Sequence, residues 1–177
     1  MTMTADTPAL LPAQPAASPR LRIGLMILSG LILLGALSDL PAIFFDYKHT
    51  DRLVIFAQRL TSLKLALAPV IAGAVLYFAI RRKLPHAIVA LATLMLVNWL
   101  TELPSIAIHG MEMKDGGIYS LVIAAQRFLY PLLAVAAMAL ALRNERLMTA
   151  TVLTAIPTIV QWLGVAAFAV GVAIYGF

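Results

Sequence analysis

Two short polar patterns occur twice in this chain, in the same order. Leu37-Ser38-Asp39-Leu40-Pro41-Ala42-Ile43 is matched by Leu100-Thr101-Glu102-Leu103-Pro104-Ser105-Ile106. Leu53-Val54-Ile55-Phe56-Ala57-Gln58-Arg59 is matched by Leu121-Val122-Ile123-Ala124-Ala125-Gln126-Arg127. Each copy therefore supplies a carboxylate, a proline two residues on, and then an amide next to a guanidinium. A carboxylate and a guanidinium brought together form a charge-assisted pair, and that pair is stronger where water is scarce. A proline inside a helix deprives the carbonyl four residues earlier of its N–H donor. The carbonyls of Leu37 and Leu100 become acceptors that Arg59, Arg127, Gln58 or Gln126 could fill.

Further polar residues fall near the middle of long apolar stretches: Lys64, Asn98, Tyr130 and Gln161. Lys64 has no counterpart in the second copy, where Leu132 aligns with it, and it lies too deep for its stem to carry the ammonium to the surface. It must pair, lose its proton or meet water. Asn98 and Glu102 are four residues apart and share a helix face. Gln161, Lys64, Asn98 and Glu102 could together line a polar path. Asp39 and Glu102 against Arg59, Lys64 and Arg127 leave one excess positive charge, which suits an anionic or electron-rich guest. The structural alternative is that the repeated charges are staples joining helices, since buried ion pairs are weak evidence of function.

Other chemistry is thinly represented. His109-Gly110-Met111-Glu112-Met113 places an imidazole and two thioethers in one joint, a soft set of the kind that suits copper, so His109, Met111 and Met113 form a weak candidate metal site. His86 has no facing partner that would make a b-type haem site. Cysteine is absent, which excludes disulfides and thiol chemistry. No phosphate loop, HExxH motif or nucleophile elbow occurs. The residues point away from an enzyme, and they name no cofactor.

The elements that must position these residues are membrane helices. Hydrophobic residues make up 62% of the 177-residue chain and charged residues 12%, with mean hydropathy +0.95. A soluble domain is nearer half apolar and a quarter charged. An apolar bilayer core of about 30 Å takes about 20 helical residues. Runs at about 23–45, 53–80, 86–108, 118–142 and 150–176 satisfy this. The expected fold is an all-α integral membrane bundle of five transmembrane helices: a first two-helix repeat at about 23–80, a second parallel to it at about 86–142, and an unmatched closing helix at about 150–176. Residues 1–19, rich in Ala, Pro and Thr, read as a disordered tail, and 20–177 as one bundle.

Orientation follows from Lys and Arg placement. Arg20, Arg22, Arg81, Arg82, Lys83, Arg143 and Arg146 occupy the N-terminal flank and the second and fourth joints. Lys48, Arg52 and Lys114 lie in the other two, each near acids. The expectation is a bacterial inner-membrane protein with a cytoplasmic N-terminus and an external C-terminus. The net charge of +5 then belongs to cytoplasmic joints and implies no nucleic-acid partner. The helix dipole does not explain the repeated charges, because the acids lie toward C-terminal ends and the arginines toward N-terminal ends. Pairing does, as Asp39–Arg59 and Glu102–Arg127 or the crossed set. Trp99 and Trp162 lie deep and suit packing or partner contact. Gly164, Ala167 and Gly171 could seat a neighbouring helix. Two functional readings follow: a small transporter or channel for a polar or anionic solute or for protons, working as a homo-dimer, or a non-catalytic subunit or assembly factor of a larger membrane complex. A metal-handling or enzymatic role for the His109 joint is a third. The lipid bilayer is the partner common to all.

Overall fold

The computed structural model describes residues 19–44, 51–109 and 118–176. Five helices follow one another: α1 Pro19–Asp39, α2 Arg52–Ile80, α3 Leu84–His109, α4 Ile118–Leu142 and α5 Leu147–Tyr175. A 3-10 segment, Leu40–Phe44, continues α1. No strand occurs among the described residues. All five helices are long and apolar enough to cross a membrane, and their limits fall within a few residues of the expected runs. Pro19, expected in the tail, instead opens α1; the rest of that tail, like most of the third joint, lies outside the described residues.

Apolar residues run around the whole circumference of these helices, as suits elements that meet lipid on one side and each other on the other. The prolines inside them, Pro69, Pro104, Pro131 and Pro157, do not end the helices. In a membrane bundle, neighbouring helices and side chains can satisfy the carbonyls that proline frees. Asp51 caps α2 by accepting from the Leu53 N–H at 2.9 Å.

α2 and α4 stop in the same way. After α2, Arg82 takes a left-handed conformation (φ 60°). Its N–H donates to the Ala79 carbonyl at 3.2 Å and that of Lys83 to Phe78 at 2.9 Å. After α4, Asn144 (φ 54°) donates to Ala141 at 3.0 Å and Glu145 to Leu140 at 3.0 Å. Both are Schellman turns, which satisfy the last carbonyls and reverse the chain sharply. They let α3 and α5 start at once and run back beside their predecessors.

α3 is the most enclosed helix, packing on α2, α4 and α5, while α1 packs on α2 and touches α5. The main core joins Leu21, Leu25 and Leu28 of α1 to Val75 and Ala79, to Leu84, Ala87, Ile88 and Leu91, and to Ala137, Ala141 and Ala150. It lies toward the end where α1, α3 and α5 begin. Ala72, Ala79, Ala87, Ala92, Ala134, Ala137 and Ala150 have no exposed surface. Small side chains at these crossings let backbones approach closely, which counts in lipid because apolar burial between helices gains little there. A smaller cluster of Ala92, Met95 and Ala134, with Tyr130 against it, continues the α3–α4 seam. Beyond it the bundle loosens, and every residue of α5 from 159 to 170 is exposed.

Candidate functional site

The seam between α3 and α4 gathers the polar residues that the protomer organises best. One turn of α3 carries Asn98, Trp99, Thr101 and Glu102, and the facing turn of α4 carries Arg127, Tyr130 and Pro131. Pro131 has no N–H, so the Arg127 carbonyl, four residues earlier, lacks its helical donor. The indole Nε1 of Trp99 donates to that carbonyl at 2.7 Å. The pair closes a hydrogen-bonding deficit that would otherwise lie in the apolar layer. Thr101 folds its hydroxyl back on its own helix, donating to the Val97 and Asn98 carbonyls at 3.0 and 2.8 Å.

Two further features give the seam chemical character. The Tyr130 phenol lies within electrostatic reach of the Glu102 carboxylate. The Asn98 side-chain oxygen is buried without a hydrogen-bond donor, and an unsatisfied acceptor of this kind costs free energy unless a donor reaches it. The neighbourhood is therefore acceptor-rich, with a carboxylate and an amide oxygen on one side and a phenol on the other.

The expected ion pairs do not form inside the protomer. Among the described residues no carboxylate comes within 4.0 Å of an arginine or lysine nitrogen, so neither Asp39–Arg59 nor Glu102–Arg127 closes, crossed or direct. Asp39, Arg59 and Glu102 are exposed on the flanks of their helices, and Arg127 is half-buried. Equal depth along two helices does not put side chains on facing surfaces; the rotation of each helix decides that, and it is set by the alanine-lined crossings. Gln58 and Gln126 are half-buried, and the Gln58 backbone carbonyl accepts from Ser62 at 3.1 Å.

The four residues of the expected polar path differ in their exposure. Lys64 and Asn98 are half-buried near the middles of α2 and α3, but Gln161 is exposed on the part of α5 that stands clear of the bundle, and Glu102 is exposed as well. His109 ends α3, and its side chain, with Met111 and Met113, lies outside the described residues. Among the described residues no three His, Asp or Glu side chains cluster closely enough to hold a metal.

The Trp99–Arg127 bond was legible in principle. The rule that assigns free carbonyls to Leu37 and Leu100 assigns one to Arg127 through Pro131 as well, and a deep tryptophan with a single N–H needs an acceptor. No known protein family, curated sequence or solved structure matches the chain.

Proposed function

We propose that this protein works as a subunit of a membrane assembly, pairing with further transmembrane chains or with copies of itself through the polar clusters of its outer half. The observation that carries this reading is Glu102. It lies about 10 Å from the end of α3 at 1.5 Å per residue, is exposed on the protomer flank, and among the described residues has no cation within ion-pair distance. A short carboxylate at that depth cannot reach the head groups, whereas Arg59 can extend its stem toward them. Acidic groups within a bilayer face a partner or a water-filled cavity, and among the described residues Glu102 meets no cation, only the Tyr130 phenol within electrostatic reach. Asp39 is in a comparable position, a 3-10 segment of about 10 Å away from the end of the first span. The bare outer half of α5, with Gln161 and Trp162, is a second surface suited to a neighbouring helix.

In this reading the duplicated acid-x-Pro and Gln-Arg patterns are two related docking sites, produced by a parallel repeat of α1–α2 in α3–α4. The N-terminus is cytoplasmic, by the Lys and Arg distribution. The experiment is native mass spectrometry after gentle extraction from the protein's own membrane, with crosslinking in the intact membrane beside it. The expected result is a species heavier than one 19.0 kDa chain. A lone protomer by both methods overturns the proposal.

A second reading, transport of a polar or anionic solute or of protons along an interface between copies, is favoured by the donorless Asn98 oxygen and the half-buried Lys64 near the middle of the bundle. It expects Lys64→Leu to abolish flux in a folded, assembled protein. Undiminished flux in that variant removes it.

A further inference from the structure

The end of the bundle where α1, α3 and α5 begin holds a concavity of about 1240 Å³. Its wall comes from the first turn of α1, the α2–α3 turn and the α4–α5 turn. Four cations line it, Arg22, Arg82, Lys83 and Arg146, and among the described residues no carboxylate does. None of the three helices that begin there has an acid in its first turn. The N-terminal end of each adds partial positive charge and unpaired backbone N–H groups. α5 in particular starts from Arg146 with no side-chain cap.

Arg22 distinguishes this site from basic joints that merely fix orientation, which need only face water. Its guanidinium is turned into the protein, where one Nη donates to the Ile80 carbonyl at 3.3 Å while Nε is buried without an acceptor. Arg81, by contrast, is outside the wall and lies over the Tyr77 ring, 5.6 Å from its centroid. Apart from His86 and Asn144, the remaining wall is apolar. Ile23, Leu142 and Met148 line the concavity and also face outward on the helix flanks, so an apolar chain leaving the cationic pocket finds a continuous apolar surface.

We propose that this concavity binds the phosphate head group of an anionic phospholipid, with Arg22, Arg82, Lys83 and Arg146 around the phosphate and the acyl chains along Ile23, Leu142 and Met148. Basic pockets between transmembrane helices are suited to such head groups. The apolar exit and the volume, large beside a single phosphate ion, favour a lipid over a soluble anion.

The test uses the full chain in micelles and native mass spectrometry, comparing phosphatidylglycerol with phosphatidylcholine, and with inorganic phosphate as competitor. Arg82 and Arg146 are both in the left-handed region (φ 60° and 44°), which glycine adopts freely. Arg82→Gly with Arg146→Gly therefore removes two charges while relaxing the backbone, and its folding is checked by its melting temperature. Lys83→Gln is a second variant whose backbone bonds are untouched. The expected result is phosphatidylglycerol retained at least tenfold over phosphatidylcholine, that preference reduced tenfold or more in the glycine double variant and measurably in Lys83→Gln, and no displacement by phosphate. Equal retention of the two lipids overturns the proposal, as does a preference that survives both variants. Displacement by phosphate assigns the site to a soluble anion instead and also overturns it.

Discussion

The indole of Trp99 donates to the backbone carbonyl of Arg127 at 2.7 Å, and that carbonyl is the one Pro131 leaves without a helical donor. A proline on one helix and a tryptophan on the next thus share one hydrogen-bonding requirement. Trp99→Phe keeps an aromatic ring, smaller than the indole, and removes the N–H. It should cost about 1 kcal/mol, within the span measured for hydrogen bonds between membrane helices, plus part of the penalty for a desolvated carbonyl. Pro131→Ala restores the helical donor, so in that background Trp99→Phe should cost much less. A double-mutant cycle by reversible unfolding in mixed micelles measures the coupling, and additive effects would show that the bond contributes nothing.

Arg82 has a left-handed backbone without being glycine. L-residues pay about 1–2 kcal/mol there, asparagine less. Arg82→Gly should raise the melting temperature, and Asn144→Gly, at the equivalent turn after α4, should raise it by a smaller amount. Thermal unfolding of the two variants under identical detergent conditions checks the order. An unchanged or lowered melting temperature for Arg82→Gly contradicts it.

The fully buried alanines set the distances between helices. Ala87 of α3 and Ala137 of α4 have no exposed surface, and neither site has room for three more carbons. Ala87→Leu should destabilise by about 1–3 kcal/mol through overpacking. Leu163→Ala on the exposed part of α5, where the side chain is 64% exposed, should leave the protomer's stability nearly unchanged. If the two variants unfold alike, the packed end of the bundle is not the source of stability.

Glu102→Gln keeps the shape of the side chain and removes its charge. Where Glu102 pairs with a cation on a neighbouring chain, truncating one partner leaves the other charge unpaired. The variant should shift the assembly toward single protomers while the protomer's melting temperature holds. Native mass spectrometry of wild type and variant reads the shift, and an unaltered distribution places Glu102 outside the interface.

Much of this protein was already determined by its sequence. The apolar runs define five helices long and apolar enough to cross a bilayer, where an isolated apolar segment has no other way to satisfy its backbone. Arg81 to Lys83 and Arg143 to Arg146 mark the sharp turns, since charges of that density cannot remain in a span. The depth of Asp39, Arg59, Glu102 and Arg127 is a matter of counting residues. Which way those side chains face was decided only by the tertiary structure. Depth is a coordinate along one helix, while pairing depends on how each helix is rotated against its neighbours, and that rotation comes from many alanine contacts between segments distant in sequence. For the same reason Arg127 presents its carbonyl to Trp99 and not its guanidinium to Glu102. The cationic concavity likewise exists only because three basic chain segments, distant in sequence, meet at one end of the bundle.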